Sequence, residues 1–269
     1  MASSEVAPQA GRSRGRGLRL PDATPSVLLV VVLVALWQLG STQEWWSARV
    51  IPAPSDIWTV GRTEITDGPF FTDALATITA VFASIVLGLL LGTLAGVLFW
   101  RKQTLGKMFE PYLISFYTVP LVVFYPVFLV ILGINLWPII ILGSIMAAIP
   151  MALNTWVGLS EVRPVYLNLG RSLCLSRWQT LRLIAMPAAA PMVLAGATMA
   201  GIYSLIGVVA MEFMIAQSGL GYRIRYRYES FANSAMYFYI IATLVISLVV
   251  VALLSLLPRL LGTSTKGRS

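Results

Sequence analysis

Histidine is absent from this 269-residue chain, and cysteine occurs once, at Cys174. Without His there is no imidazole acid or base, no Ser-His triad and no HExxH zinc site. A lone thiol permits no disulfide within the chain, so its redox compartment is not legible. Charge is scarce as well: 11% of residues are Asp, Glu, Lys or Arg, against about 25% in a soluble domain. A phosphate-binding G-x4-G-K-[ST] loop is also missing. The nearest string, Gly262 to Ser269, carries Arg268 where the lysine belongs and has no helix behind it to cradle phosphate. No metal site and no bound cofactor are expected in this chain.

What abounds is apolar surface. Hydrophobic residues make up 58% of the chain and the mean hydropathy is +0.82. A core of this size cannot hide so much, and the surplus must face lipid. A soluble enzyme, a disordered chain and a disulfide scaffold are thereby excluded. Five apolar stretches, Ala74–Trp100, Pro111–Leu132, Trp137–Leu159, Ala185–Ala216 and Ala235–Leu261, approach or exceed the roughly 20 residues needed to cross a bilayer. Backbone groups in hydrocarbon must be paired internally, so each is expected to be a helix. A shorter run, Val27 to Leu39, reads either as a signal peptide with a poor cleavage site at Ser47-Ala48 or as a retained first span. The retained helix is preferred, because a polytopic protein uses its first span as an anchor. The expectation is an all-α integral membrane protein with six transmembrane helices. A flexible basic tail (1–24) precedes the membrane domain (25–262), and a short tail (263–269) follows it. Ser47 to Phe71 reads as a polar loop.

The formal charge is +8, from 19 Lys and Arg against 11 Asp and Glu. Basic residues collect on cytoplasmic loops of membrane proteins, which explains the excess without nucleic acid. With the N-terminus inside, all but Arg49, Arg62, Arg223, Arg225 and Arg227 fall on the cytoplasmic side. Both termini are therefore expected in the cytoplasm. Arg223, Arg225 and Arg227 run against the bias. They attract an anion into the outer mouth, snorkel to phosphates, or meet a partner protein.

Four further features stand out. Ser160 to Ile184 is amphipathic, and fits either a surface helix on the headgroups or a docking helix for a cytoplasmic partner. Gly88, Gly92 and Gly96 form a small-residue stripe that lets a second helix pack closely. Glu212 is read as the sole carboxylate well inside a span, either fixing the outer loop or standing at an outer gate. Tyr117, Thr118, Tyr125, Asn154 and Tyr203 are candidate cavity-lining side chains.

The loop from Asn168 to Pro187 resembles the cytoplasmic E-A-A-x3-G-x9-I-x-L-P loop of ABC-importer permeases. Ile184, Met186 and Pro187 occupy the I, L and P positions. Cys174 falls at the glycine, and Asn168-Leu169-Gly170 stands in for Glu-Ala-Ala. Val50-Ile51-Pro52-Ala53-Pro54-Ser55-Asp56-Ile57-Trp58 resembles the LPxPxxVW stretch of the nitrate/sulfonate/taurine group of these permeases. Pro120, Tyr125-Pro126, Phe128 and Gly133-Ile134 are similar to that group's third span, and Pro150, Asn154-Thr155 and Gly158 to its fourth. Pro187, Pro191, Gly196, Glu212 and Gly219-Leu220-Gly221 are similar to its fifth span and following loop.

The resemblance implies a type I importer permease fold of the methionine-permease kind in a bacterial inner membrane. It implies two cytoplasmic ATPase subunits that hold the ATP and Mg, a second permease that is a copy or a paralogue, and a periplasmic solute-binding protein. It implies ATPase coupling through Asn168, Leu169, Gly170, Leu173, Cys174, Trp178 and Leu181, on one helix between Asn168 and Leu181. Relatives of this kind carry nitrate, sulfonates, taurine, aromatic acids or thiamine precursors. The rival reading is an ion-coupled secondary transporter with Glu212 as its coupling acid. A membrane enzyme is disfavoured by the missing His and the absence of clustered intramembrane acids.

Overall fold

The computed structural model describes residues 24–116, 121–214 and 216–260, and every regular element among them is helical. The basic tail up to 23, the tail 263–269, and Tyr117, Thr118 and Pro120 lie outside the described residues. The chain divides into two units, 1–54 and 55–269. In the first, α1 (Thr24–Thr42) is apolar around its circumference, with every side chain from Val27 to Leu36 exposed. A helix with no polar face is stable where protein or hydrocarbon surrounds it.

The second unit runs α2 (Pro54–Thr66), α3 (Phe70–Arg101), α4 (Gln103–Ser115), a 3-10 turn (Leu121–Phe124), α5 (Tyr125–Leu132) and α6 (Trp137–Ser160). It continues through α7 (Pro164–Ser172), α8 (Arg177–Thr180), a π turn (Leu181–Ala185), α9 (Met186–Met214), α10 (Leu220–Glu229) and α11 (Asn233–Leu260). Among the described residues, four helices are long and apolar enough to cross a membrane: Phe70–Arg101, Trp137–Ser160, Arg177–Met214 and Asn233–Leu256.

Four expectations need correction. The stretch Pro111–Leu132 is not one helix: α4 ends at Ser115, and α5 has only eight residues. Pro126 lies in the first turn of α5, where its missing N–H costs nothing, so it starts a helix. Gly133 at φ 80 then ends it. The supposed polar loop before the second span contains α2, which turns Ile57, Gly61 and Glu64 to the interior. The second span begins at Phe70 rather than Ala74, which brings Asp73 into it as a second buried carboxylate beside Glu212. The helix expected from Asn168 to Leu181 is broken into α7 and α8.

The centre of the unit is the packing of α3 and α9 on either side of α6. Gly88 faces Ser144 and Ala147, Gly92 faces Ala148 and Met151, and Gly96 faces Ala152 and Thr155, so α3 and α6 run parallel. Gly196 meets Asn154 and Gly207 meets Met146, so α9 runs antiparallel to α6. Lipid offers apolar side chains nothing to flee from, and close backbone approach therefore supplies the attraction through dispersion contacts. Ala80, Val81, Ile139, Leu142, Val208 and Met211 fill the same core. Meanwhile the opposite face of α3 shows Phe82, Leu90 and Leu94 outward.

At Gly92 an added Cβ would lie 2.6 Å from both the Ala148 carbonyl and the Met151 Cβ, with backbone on one side that cannot yield. Gly92→Ala is expected to destabilise the protein by about 2 kcal/mol through overpacking, whereas Leu90→Ala on the exposed face changes little. Thermal unfolding of the two purified variants in detergent checks this: the midpoint falls for the first and stays for the second.

Candidate functional site

Helix ends carry the chemistry in this chain, because the first four N–H groups and the last four carbonyls of a helix lack intrahelical partners. One group of such ends forms the elbow between α7 and α9. Here α7 closes in a Schellman turn, in which the Leu175 N–H donates to the Gly170 carbonyl and the Cys174 N–H to that of Arg171, both at 3.0 Å. Such a turn needs a residue in the left-handed region, and Cys174 occupies it at φ 53. Glycine suits that conformation and cysteine resists it. The next helix opens with a capping box: the Gln179 N–H donates to the Ser176 hydroxyl (3.2 Å), and the Ser176 N–H to the Gln179 side chain (2.8 Å).

These caps leave large side chains outside. Leu169, Leu173 and Trp178 are exposed, the last two by more than 60%. Leu181 instead packs inward with Leu159, Val162, Ala185 and Ala189. Gly170 is buried against Thr180 and Ile184. Asn168 accepts a hydrogen bond from Arg171 on the surface (3.1 Å), and the Cys174 thiol is free and exposed. The seven residues read as one docking set thus divide into an outward group and two that anchor the elbow.

A second group forms the turn from α9 to α10, at the other end of α9. Three successive N–H groups open α10, and each has a side-chain acceptor from another helix. Gly219 donates to Asp73 Oδ1 (3.1 Å), Leu220 to the Thr77 hydroxyl (2.8 Å) and Gly221 to Glu212 Oε2 (3.0 Å). The Thr77 hydroxyl in turn donates to Glu212 Oε2 at 2.8 Å. Two carboxylates at a helix N-terminus meet the positive end of its dipole. Gly219 sits at φ 102, and a Cβ there would overlap the Glu212 carboxyl.

The arginines face the other way. Arg225 donates to the carbonyls of Met214 and Ala216, capping the end of α9, and lies 3.7 Å from Glu229. Arg223 pairs with Asp73 Oδ2 at 2.6 Å. Burial opposes the Arg223 charge, but the hydrogen bond and attraction from Asp73 outweigh it, and its affinity for the proton is raised. Arg227 pairs with Glu64 of α2, whose other oxygen accepts from the Tyr239 hydroxyl of α11 at 2.9 Å. The basic cluster proposed to attract anions, snorkel or meet a partner has an internal acceptor for each guanidinium.

The remaining candidates are scattered. Tyr125 is buried at the start of α5 beside the central core. Asn154 donates to the Pro150 carbonyl (2.8 Å) at the α6–α9 crossing, and Tyr203 is half-buried on α9. Neither the apolar cavity of about 420 Å³ between α3, α9 and α11 nor that of about 440 Å³ beside Glu161, Arg163 and Met192 is lined by any of them or by Glu212. The reading of the residues missed Asp73, Thr77, Glu64 and Tyr239. A span started four residues earlier recovers Asp73 and sets it four residues from Thr77. The Ser176-x-x-Gln179 spacing was a visible helix-start signal.

Two outcomes follow from this geometry. Cys174→Gly is expected to relieve about 1 kcal/mol of left-handed strain, slowing hydrogen exchange of the Leu175 amide about fivefold. Asp73→Asn is expected to cost about 3 kcal/mol, because it strands the largely buried Arg223 charge. A fall in thermal midpoint should be seen that a control Glu229→Gln, at an exposed pair, does not share.

The sequence model of the family described as the binding-protein-dependent transport system inner membrane component matches residues 84–265. The formylaminopyrimidine transport permease protein ThiX of Halalkalibacterium halodurans is 26% identical over 206 residues, covering 75% of this chain and 80% of the relative. The nitrate import permease protein NrtB of Leptolyngbya laminosa is 26% identical over 242 residues, covering 88% and 87%. A solved structure of inward facing conformations of the MetNI methionine ABC transporter superposes with a TM-score of 0.60 at 22% identity. It covers 71% of this chain and 94% of that one, and shows the fold. With two thirds of its length matched and its apolar helices held in that fold, this chain belongs to the family of inner-membrane components of binding-protein-dependent transport systems, multi-pass permeases of ABC transporters.

Proposed function

We propose that this chain is the permease subunit of an ATP-driven importer and forms half of the pathway for a small solute. In this reading α1 and the α4–α5 segment complete six spans, both termini lie in the cytoplasm, and the elbow faces the cytoplasm. A dimer of ABC ATPases holds ATP and Mg, a second permease (a copy or a paralogue) completes the pathway, and a periplasmic binding protein delivers the solute. The solute is of the nitrate, sulfonate, taurine, aromatic-acid or thiamine-precursor type, and discrimination among these rests largely with the binding protein.

The observation that carries the reading is the elbow. Its backbone turns are satisfied within ten residues, by the Schellman turn and the capping box, and Gly170 and Leu181 anchor it inward. Yet it presents Leu169, Leu173 and Trp178 to the outside. A rigid turn that exposes apolar side chains beside Arg171 and Arg177 is suited to a cleft in a partner protein. ATP closing the paired ATPases brings the two elbows together and swings the attached helices, which opens the cavity to the far side.

Leu173→Asp is expected to cut recovery of the ATPase with the purified permease at least tenfold, while the thermal midpoint of the permease alone is unchanged. Equal recovery removes the docking assignment. In proteoliposomes holding the whole complex, uptake that requires ATP and survives collapse of the proton gradient supports the importer. The opposite dependence selects the ion-coupled alternative with Glu212.

A further inference from the structure

We propose that Glu212 is a positioning residue for transport, fastening the helix that leaves the elbow to the opposite mouth of the pathway; the inference rests on the importer reading above. From Arg177 to Met214 the chain is a continuous helical run of 38 residues that passes through the π turn at Leu181–Ala185, on the order of 57 Å long and so longer than the hydrocarbon it crosses. Its first turn is the capping box of the elbow, and Glu212 lies two residues from its far end. There a single oxygen, Oε2, accepts both the Gly221 N–H of α10 and the Thr77 hydroxyl of α3. The same α10 reaches α3 through Arg223–Asp73, and α2 and α11 through Arg227, Glu64 and Tyr239. One helix therefore joins the elbow to a cluster of four others, and Glu212 is its own polar side chain at that junction.

Two observations separate this role from simple anchoring. The Glu212 carboxyl fills the space into which a Gly219 side chain would project, and its Oε2 accepts the Gly221 N–H, so α9 meets the start of α10 by direct packing as well as by a hydrogen bond. The use of oxygens also differs between the three carboxylates that are buried among the described residues. Asp73 and Glu64 each bond through both oxygens. Glu212 is wholly buried, and its Oε1 has no hydrogen-bond partner among the described residues. A buried acceptor left open costs stability. Glu212 is thus held through one oxygen alone, so its ties to α3 and to α10 are lost together when that oxygen is removed.

The test uses the assembled complex of permease, ATPase and binding protein in lipid nanodiscs. Its readout is the ratio of ATP hydrolysis with and without binding protein, per ATPase bound, which does not depend on how much permease folds. Glu212→Ala is expected to lower this ratio at least tenfold, and Thr77→Val, which keeps the shape but removes both the donor to Glu212 and the acceptor of the Leu220 N–H, at least threefold. Glu212→Gln is expected to stay within twofold of the parent, because its amide oxygen still accepts from both Thr77 and Gly221. The proposal is overturned if the alanine and valine variants keep the parent ratio, or if the glutamine variant falls as far as alanine, which assigns the role to charge. Where Glu212→Ala does not fold, Thr77→Val decides alone. A parent chain that recruits no ATPase, or whose ATPase ignores the binding protein, ends the importer reading instead.

Discussion

A backbone N–H or carbonyl left unpaired near hydrocarbon costs several kcal/mol, and the turn between α9 and α10 has to satisfy both kinds within a few residues. The solution is an exchange of opposite charges. Arg225 covers the carbonyls that end α9, while Asp73, Thr77 and Glu212 accept the N–H groups that open α10. Each charge also meets the favourable pole of the helix it caps. Because the acceptors stand on α3 and α9, satisfying this one turn also fixes where three helices meet. The ion pairs of Arg223 and Arg227 extend the same tie to α2 and α11.

Away from that turn the helices have little polar glue. Three glycines on α3 let α6 approach until the carbonyls of Ser144, Ala148 and Ala152 lie against them. Small residues, rather than hydrophobicity, make that contact specific, since lipid tails are as apolar as leucine. Ser84 donates to the Ile140 carbonyl at the same seam (3.1 Å), a bond worth about 0.6 kcal/mol in a membrane setting. Specific packing in the middle and charge exchange at one end are complementary: the first sets distance between helices, the second sets their register along the axis.

Much of this was legible in the residues, for identifiable reasons. Length and hydropathy locate α3, α6, α9 and α11 because each is a continuous apolar run with few breakers. The glycine stripe announces its own packing. The broken third span was not legible, since Pro111, Pro126 and Gly133 are as common in kinked membrane helices as in interrupted ones. Asp73 was lost to a boundary drawn at the first uninterrupted apolar residue, which put the partner of Arg223 outside the span. Glu64 was lost because α2 is too polar to read as buried, although its Ile57–Gly61–Glu64 spacing sets one face inward. Contacts such as Thr77 to Glu212, 135 residues apart in sequence, leave no local pattern at all. Cys174 is the intermediate case. Its place at a position where the related loop has glycine was visible, and the left-handed φ supplies the reason that glycine belongs there.

The two ends of the long α8–α9 helix are built on opposite principles, and the difference bears on what each can do. At the elbow every cap comes from within the same short segment: Gly170 with Leu175, Arg171 with Cys174, Ser176 with Gln179. With the backbone capped locally and only Gly170 and Leu181 used for anchoring, Leu169, Leu173 and Trp178 are left for a partner. At the far turn every cap of α10 comes from another part of the chain, and the charged groups are consumed internally. That end cannot move without moving its neighbours. A locally stable contact at one end and a distributed tie at the other are what a helix needs if it is to receive a push at a small surface and deliver it to a large one.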